Sequence, residues 1–349
     1  MASLRKLAAE LGVSVATVSR ALNHKPNVNA ATRERVLVAA RGAGYMLPAT
    51  SRGTSVIALA YPRGVVRADY GSFDTALLAG VMRGVSDKRF DVLILDIQRD
   101  KLPRETYTSF FTRKNVQGAI LRCFDDSRQL CEDIASEGFP SVVVAERFDD
   151  PNVNFICSES RWDSRRAVEH LIQLGHRRIA LGVHQIRDTD HRDRCDGYRE
   201  ALTQHGLTYD PALVVDLVAD IRGGANAVRY LLSLRDPPTA IFFTDPLATI
   251  GALHHCREMG VTVPDELSIV GFDDSDVRHH AFPPFTAVCQ DASELGFEAG
   301  RWLARRVSGE TTEPLRVMRQ TFFEINQTTA PPARGRQAPG APPANMDGR

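Results

Sequence analysis

Several features that would define a protein class at once are missing from this chain of 349 residues. Its six cysteines contain no C-x-x-C pair, and the cluster His254, His255 and Cys256 has no second cluster with which to build a zinc site. We interpret the cysteines as reduced thiols of a cytoplasmic protein. No apolar run is long enough to cross a bilayer, and the polar, amphipathic N-terminus is unlike a signal peptide. The sequence therefore predicts neither a metal nor a membrane partner.

Enzyme motifs are absent as well. The chain has no G-x-x-x-x-G-K-[ST] loop, no G-x-G-x-x-G fingerprint and no G-x-S-x-G elbow. Asp273 and Asp274 resemble a pair of catalytic carboxylates, but adjacent residues at the end of a strand point apart. We therefore predict a protein that is not an enzyme and binds no cofactor. A sugar-active enzyme and a plain binding protein are the alternatives.

What the chain does contain is a pair of short helices at its N-terminus. Four apolar residues from Leu4 to Leu11 follow the i, i+3, i+4, i+7 spacing of an amphipathic helix, and Gly12 suits the C-terminus of that helix. Ser14 can cap a second helix that runs to Asn23. Two short helices joined by a tight turn are typical of a helix-turn-helix, although an ordinary helical hairpin has the same pattern.

Charge separates these two interpretations. Residues 1–53 contain eight Lys and Arg residues against two Glu, although the whole chain has no net charge. A basic head on an acidic body is the asymmetry expected of a module that binds phosphates. We therefore predict that residues 1–45 form an all-α helix-turn-helix domain that binds double-stranded DNA.

The run V-S-V-A-T-V-S-R-A-L-N is followed by N-A-A-T-R-E-R-V and G-Y, and the chain later contains V-P-D-E-L-S-I-V-G-F-D-D and P-P-F-T-A-V-C-Q-D. On these motifs the sequence resembles the LacI/GalR family of bacterial transcription regulators over residues 3–332. The resemblance implies a homodimer that binds a DNA operator, a small-molecule effector such as a sugar, and a core similar to periplasmic sugar-binding proteins.

The second helix contains the candidate DNA contacts. Arg20 suits guanine, because a guanidinium can bind O6 and N7 together, although a phosphate contact is the alternative. Val15 and Ala16 stand where the family reads bases, and their apolar side chains can contact only thymine methyl groups. The expected phosphate contacts are Ser14, Thr17, Ser19 and Asn23, with Lys6, Lys25 and Arg33 as further phosphate contacts or solvated charges.

Residues 46–55 form a short linker. The resemblance implies a hinge helix whose leucine enters the minor groove and kinks the DNA, but the Ala-Arg-x-x-Leu pattern is missing here and Leu47 precedes Pro48. We therefore expect little DNA bending. The alternative function is a sugar-binding sensor whose DNA binding is weakened by the shortened hinge.

From Val56 onward, short apolar strands alternate with amphipathic helices in two successive series, separated by a polar break at residues 149–160. This pattern predicts an α/β core of two doubly wound parallel-sheet lobes, with D-V-L-I-L-D as one of the buried strands. We assign residues 56–157 and 291–320 to the N-terminal lobe, 158–290 and 321–332 to the C-terminal lobe, and 333–349 to a disordered tail.

Two facing lobes predict a ligand site in the cleft between them, beyond the carboxyl ends of the strands. The resemblance places Arg194 and Asp273 there, and a fork of donors beside an acceptor suits a vicinal diol. The alternative is an ion pair between these two side chains that closes the empty cleft. Further candidates are Gln290, Thr244, Asp245 and Glu159, together with the aromatic residues Tyr70, Phe73 and Trp162, which either stack on a sugar or pack in loops.

Several positions depart from the family pattern. Thr244 replaces the usual Asn, Glu159-Ser160 replaces Asp-Asn, and Asn326 replaces Arg. These changes shorten or remove polar groups near the cleft or hinge, so we expect an effector that differs from a simple hexose or is bulkier. The sequence as a whole predicts a ligand-responsive transcriptional repressor.

Overall fold

The structure, a computed structural model, describes residues 8, 9, 11–22, 28, 29, 32, 35, 36, 39, 40, 55–62, 71–185 and 187–333. The chain divides into two units, Met1–Ser55 and Val56–Arg349. Among the residues that the structure describes, no helix is long and apolar enough to cross a membrane.

The N-terminal unit contains helix α1, Val15–Leu22. The helix begins after Ser14, whose hydroxyl accepts a hydrogen bond from the Thr17 amide at 3.0 Å, as expected of an N-cap. Gly12 has a φ of +65°, a left-handed conformation that glycine adopts without strain. One face of α1 packs into a small apolar cluster that consists of Ala8, Val18, Ala21, Val36 and Ala40. The opposite face of α1 is therefore left for other contacts.

Strands and helices alternate through the second unit. The strands are β1 (Val56–Tyr61), β2 (Asp91–Asp96), β3 (Val116–Arg122), β4 (Ser141–Val144), β5 (Phe155–Glu159), β6 (Ile179–His184), β7 (Val214–Leu217), β8 (Ala240–Phe243), β9 (Ser268–Asp273), β10 (Thr286–Cys289), β11 (Arg316–Gln320) and β12 (Phe322–Glu324). The helices are α2 (Ser72–Ser86), α3 (Ile97–Asp100), α4 (Tyr107–Arg113), α5 (Arg128–Ser136), α6 (Arg161–Gln173), α7 (Thr189–Gln204), α8 (Ile221–Leu232), α9 (Pro246–Glu258) and α10 (Ala292–Val307).

These strands form two sheets, which define two lobes. The first lobe has the strand order β11-β5-β4-β3-β1-β2, with every pair parallel. The second lobe has the order β12-β10-β9-β8-β6-β7, in which the edge strand β12 is antiparallel to β10 and the other pairs are parallel. Apolar clusters cover both faces of each sheet. The predicted fold class of two doubly wound α/β lobes is confirmed.

Two details of the predicted strands are wrong. Strand β2 was expected to be buried, but it pairs only with β1 at the edge of its sheet, and Leu93 and Ile94 are each 36% exposed. The stretch 149–160 was expected to be a polar break, but it contains the buried strand β5. Only Phe155, Ile156 and Cys157 of this five-residue strand are apolar, too few to stand out among their polar neighbours.

The chain crosses between the lobes three times, after β5, after β10 and after β11. The second crossing brings α10 against α2 in the first lobe, where the two backbones come very close. A Cβ at Gly80 would lie 1.8 Å from the Ser293 carbonyl oxygen, so this contact requires glycine. The packing fixes α2, whose first turn, Ser72 to Asp74, lies at the carboxyl end of β1 and faces the second lobe.

Candidate functional site

A cavity of about 660 Å³ lies between the two lobes, at the carboxyl ends of their parallel strands. Its volume is within the range of roughly 300–1,000 Å³ that is usual for small-molecule sites. Both lobes contribute charged side chains to its wall, namely Asp74 and Arg122 from the first lobe and Asp188, Asp190, Arg194, Asp245 and Asp274 from the second. This arrangement fits a ligand that contacts both lobes at once.

Arg122, the last residue of β3, joins the lobes across this cavity. Its Nη1 and Nη2 atoms both lie 3.1 Å from Oδ2 of Asp188, which caps the N-terminus of α7. The same guanidinium stands 3.5 Å from Asp74 and lies between the rings of Phe73 and Phe124, with centroid distances of 4.7 and 4.6 Å. Phe73 therefore lines the cleft as predicted, but it contacts an arginine there.

Arg194 lines the cavity, yet it does not pair with Asp273. Its Nη1 atom donates to the Thr244 carbonyl oxygen at 2.7 Å, and its guanidinium lies 3.5 Å over the Phe272 ring. Thr244 itself is fully buried, and it is the backbone of this residue that meets Arg194. The alternative prediction, an Arg194–Asp273 ion pair that closes the cleft, is wrong.

Asp273 was predicted to reach the cleft, and this prediction is also wrong. Its carboxylate is fully buried, accepts hydrogen bonds from the backbone amides of Ser275, Val277 and Arg278, and pairs with the Arg278 side chain at 2.8 Å. The next residue, Asp274, lines the cavity instead, because neighbouring residues at a strand end point in opposite directions.

Asp274 is held by neutral donors from both lobes. The Gln290 side-chain amide donates to Oδ1 at 2.6 Å, and the Ser72 hydroxyl donates to Oδ2 at 3.1 Å. Gln290 therefore lines the cavity beside Asp274. Burial raises the pKa of Asp274 above the usual value of a carboxyl, and the charge of Arg194 offsets this only in part.

Asp245 and Asp190 complete the acidic wall. Asp245 caps α9 by accepting from the amides of Leu247 at 3.0 Å and Ala248 at 3.4 Å, and burial raises its pKa to about 7. Asp190, in the first turn of α7, is only 1% exposed. Neither of its carboxylate oxygens has a hydrogen-bond partner among the residues that the structure describes. Burial, together with the charge of Asp188, raises its pKa well above the ordinary value.

A second polar cluster joins the lobes beside the cavity. Glu146, after β4, accepts from Arg128 at 2.6 Å in its own lobe and from the Thr189 amide at 3.0 Å in the other lobe. Arg147 makes two hydrogen bonds to Asp193 across the cleft, at 2.8 and 2.9 Å. Burial raises the pKa of Glu146 to about 7. The relative position of the lobes is thus set by buried polar groups.

Two of the remaining predicted cleft residues, Glu159 and Trp162, do not line this cavity. Glu159 uses its carbonyl oxygen to accept from the Thr321 hydroxyl at 3.3 Å, at a crossing between the lobes. Trp162 is 53% exposed, and its ring stacks under Arg165 at 4.2 Å. Tyr70 lies outside the described residues. Within the described ranges, no three His, Cys, Asp or Glu side chains come together as a metal ion would require.

Sequence reasoning missed Asp74, Arg122, Asp188 and Asp190. The last two lie at the N-terminus of α7, which begins at Thr189, where the sequence has no apolar periodicity to mark a helix. A signal was available, since an Asp directly before a helix is a frequent N-cap, and Asp188 caps α7 by accepting from the His191 amide at 3.0 Å.

In the N-terminal unit, the candidate DNA contacts on the described residues share one side of α1. Val15 is 43% exposed, Ser14, Ala16 and Arg20 are also exposed, and Thr17 and Ser19 are half-buried. The Thr17 hydroxyl lies 2.8 Å from that of Ser14. Four further candidates, Lys6, Asn23, Lys25 and Arg33, lie outside the described residues, as does almost all of the predicted linker.

Two family models match the chain. The first, described as bacterial regulatory proteins of the lacI family, matches residues 3–46. The second, described as a periplasmic binding protein-like domain, matches residues 168–326. The first match corresponds to most of the N-terminal unit, and the second covers most of the second lobe together with α10 and β11 of the first lobe.

The relatives that match span the same length. The HTH-type transcriptional regulator CelR of Thermobifida fusca is 31% identical over 335 residues, which cover 93% of this chain and 98% of CelR. The ribose operon repressor of Haemophilus influenzae is 26% identical over 332 residues, 93% of this chain and all of that protein. A solved transcriptional regulator CelR–cellobiose complex superposes with a TM-score of 0.67 at 30% identity, covering 94% of this chain and 100% of that one. The chain therefore belongs to the LacI family of bacterial regulatory proteins.

Proposed function

We propose that this protein is a transcriptional repressor whose affinity for a DNA operator is controlled by a sugar bound between the two lobes. The observation that carries the proposal is the cavity itself, which is sized for a small molecule and lined by charged groups from both lobes. Carboxylates accept hydrogen bonds from hydroxyl groups, and guanidinium groups donate to them. The relative CelR, solved with cellobiose, supports a sugar as the ligand class.

The control of DNA binding follows from the groups that join the lobes. A ligand in the cavity meets Arg122, Asp188 and Asp274, each of which already bonds to the other lobe. A ligand that binds one arrangement of the lobes more tightly shifts the population toward that arrangement. Two heads held by a dimer then change their spacing, and with it their fit to the operator.

We propose that the functional unit is a homodimer in the cytoplasm, bound to a near-palindromic operator. A single helix-turn-helix buries too little surface to bind DNA tightly, so two half-sites are needed. The first lobe offers exposed apolar side chains for contact with a second copy of the chain. They are Leu93 and Ile94 on the edge strand β2 and Met82 on α2, and Met82 is 57% exposed. Exposed apolar groups on a soluble protein frequently mark an interface.

The test is selection of DNA from random sequence by the full-length protein, followed by footprinting of the selected site. We expect a near-palindromic site whose binding weakens with salt, as phosphate contacts require. Arg20→Ala should weaken DNA binding and relax specificity at one position of the site. The matched control is Arg222→Ala, an exposed position in the second unit of the chain, which should leave DNA binding unchanged. Recovery of no preferred sequence would contradict the proposal.

The same experiment decides the alternative of a sugar sensor with weak DNA binding. That alternative rests on the missing Ala-Arg-x-x-Leu pattern in residues 46–55. It predicts that sugars bind the protein while the selected DNA shows little sequence preference. Strong selection of an operator would remove it, and the electrophoretic mobility of permuted fragments would then show whether the DNA is bent.

A further inference from the structure

The cavity contains more carboxylates than cations. Five aspartates line it, against the two guanidinium groups of Arg122 and Arg194. His184 and His191 also line it, but burial lowers the pKa of both imidazoles, to about 4 for His184. The histidines are therefore neutral near pH 7 and do not balance the acidic groups.

Four of the five aspartates have defined partners. Asp188 pairs with Arg122, and Asp74 accepts from the Tyr61 hydroxyl at 3.3 Å and faces the same guanidinium. Backbone amides satisfy Asp245, and neutral side chains satisfy Asp274. These contacts account for each carboxylate without any external group.

Asp190 is the exception. It is 1% exposed and lines the cavity, and both of its oxygens are buried without a hydrogen-bond partner in the part of the chain that is described. The other cation of the cavity, Arg194, stands one helical turn further along α7, but it donates to Thr244 and lies over Phe272. A buried carboxylate with no donor is costly, so this position is suited to a group that the ligand brings.

Charge decides which group suits it. An anionic ligand, such as a sugar phosphate or a sugar acid, would disfavour the ionised form of Asp190 further, because it brings a second negative charge beside a carboxyl whose pKa burial already raises. A neutral hydroxyl would supply one hydrogen bond but no charge that stabilises the ionised carboxylate. An ammonium supplies up to three donors and a compensating charge, and hydrogen bonds between ionised partners are the stronger kind.

We propose that the effector is an amine-bearing sugar whose ammonium group binds the Asp190 carboxylate. Its hydroxyl groups then contact Asp274 and the free edge of Arg194, whose Nε atom has no partner among the described residues. Asp190 is thereby a specificity-determining residue that favours an amine over a hydroxyl at the same ring position. This inference rests on the proposed function only in taking the cavity as the effector site.

The test uses matched pairs of sugars that differ only in an amine or a hydroxyl. Suitable pairs are 2-, 3- and 6-amino hexoses against glucose, and the β-1,4-linked disaccharide of glucosamine against cellobiose, with N-acetylglucosamine as an uncharged control. Binding to the full-length protein is measured by thermal shift and calorimetry. We expect an amine member to bind at least about tenfold more tightly than its hydroxyl partner.

Two variants assign this preference to one side chain. Asp190→Asn keeps the size of the side chain and removes its charge, so the preference for the amine should fall to about threefold or less. Asp196→Asn, on the solvent-exposed side of the same helix, should retain the full preference. The melting temperature of each variant without ligand shows that it is folded.

Three results would overturn the inference: equal binding of both members of every pair, an unchanged preference in Asp190→Asn, or no thermal shift from any amine of the set. Operator selection by the same protein preparations separates this inference from the proposed function. If the protein selects an operator but shows no preference for amines, the amine-bearing sugar is rejected as the effector and the proposed function is retained. If the protein prefers amines through Asp190 but selects no operator, the proposed function as a transcriptional repressor is rejected and the amine-bearing sugar is retained as the ligand.

Discussion

Arg122 of the first lobe holds Asp188 of the second lobe, with two guanidinium nitrogens each 3.1 Å from the same carboxylate oxygen. Both side chains are almost completely buried. The pair therefore has two roles, since it joins the lobes and forms part of the wall that a ligand would contact. Much of the behaviour expected of this protein depends on these two residues.

Replacing Arg122 by alanine should lower stability strongly. The change leaves Asp188 and Asp74 buried without their cation, and removing one partner of a buried pair costs about 3–5 kcal/mol. Urea unfolding of the full-length protein measures the loss. The matched control is Arg222→Ala at an exposed position of α8, which should change stability by less than about 0.5 kcal/mol. Similar effects of the two changes would contradict the assigned role of Arg122.

Replacing Asp190 by asparagine should raise the stability of the ligand-free protein, by about 1–2 kcal/mol near pH 8, because it removes an uncompensated buried charge. The pKa of Asp190 is raised in the folded state, so folding takes up a proton and the penalty in the wild type grows as the pH rises above 3.8.

The gap between Asp190→Asn and the wild type should therefore be small near pH 4 and widen toward pH 8. Urea unfolding at a series of pH values measures this gap. A gap that is constant with pH, or a variant less stable than the wild type at high pH, would show that Asp190 has a partner.

The neighbouring aspartates Asp273 and Asp274 should respond in opposite ways. Asp273→Ala removes one of the three carboxylates that pair with the buried Arg278 side chain and leaves three backbone amides without their acceptor, so it should cost about 3 kcal/mol of stability. Asp274→Asn retains the shape of a cavity residue and should change stability little, while it weakens ligand binding about tenfold. Unfolding and calorimetry on both variants distinguish the two roles. The reverse pattern would place Asp273 in the ligand site after all.

Arg20→Ala should weaken operator binding by about 1–3 kcal/mol and relax specificity at one base pair, if its guanidinium reads a guanine. If it contacts a phosphate instead, binding should weaken for all sequences alike and the salt dependence should decrease. Quantitative selection with both proteins separates these outcomes. An unchanged profile would reject any contact of Arg20 with DNA.

The elements of this fold were largely visible in the sequence because local patterns produce them. The cap at Ser14 and the left-handed Gly12 follow from the side chains themselves. The apolar strands of the two lobes are recognisable because buried parallel strands are apolar on both faces. The exposure of β2 was not predictable in this way, since it depends on which strands lie beside it in the sheet.

The ligand site was less predictable, because it forms between segments that are distant in the chain. Arg122 and Asp188 are 66 residues apart and meet only when the two lobes come together. The first turn of α7 is buried by polar side chains and has no apolar periodicity. The sequence therefore contains no sign that Asp190 lies in a buried helix beside the cavity. Only the structure shows that Asp274, and not Asp273, faces the cavity, because this depends on the direction in which each side chain leaves the strand.

The measurement that tests the central claim most directly is linkage between the two ligands of the protein. Operator affinity is measured by fluorescence anisotropy with and without saturating sugar, and sugar affinity is measured by calorimetry with and without operator. We expect the sugar to change operator affinity by about tenfold or more, and the operator to change sugar affinity by the same factor. Equal affinity of the sugar for the free protein and for the operator-bound protein would contradict the account.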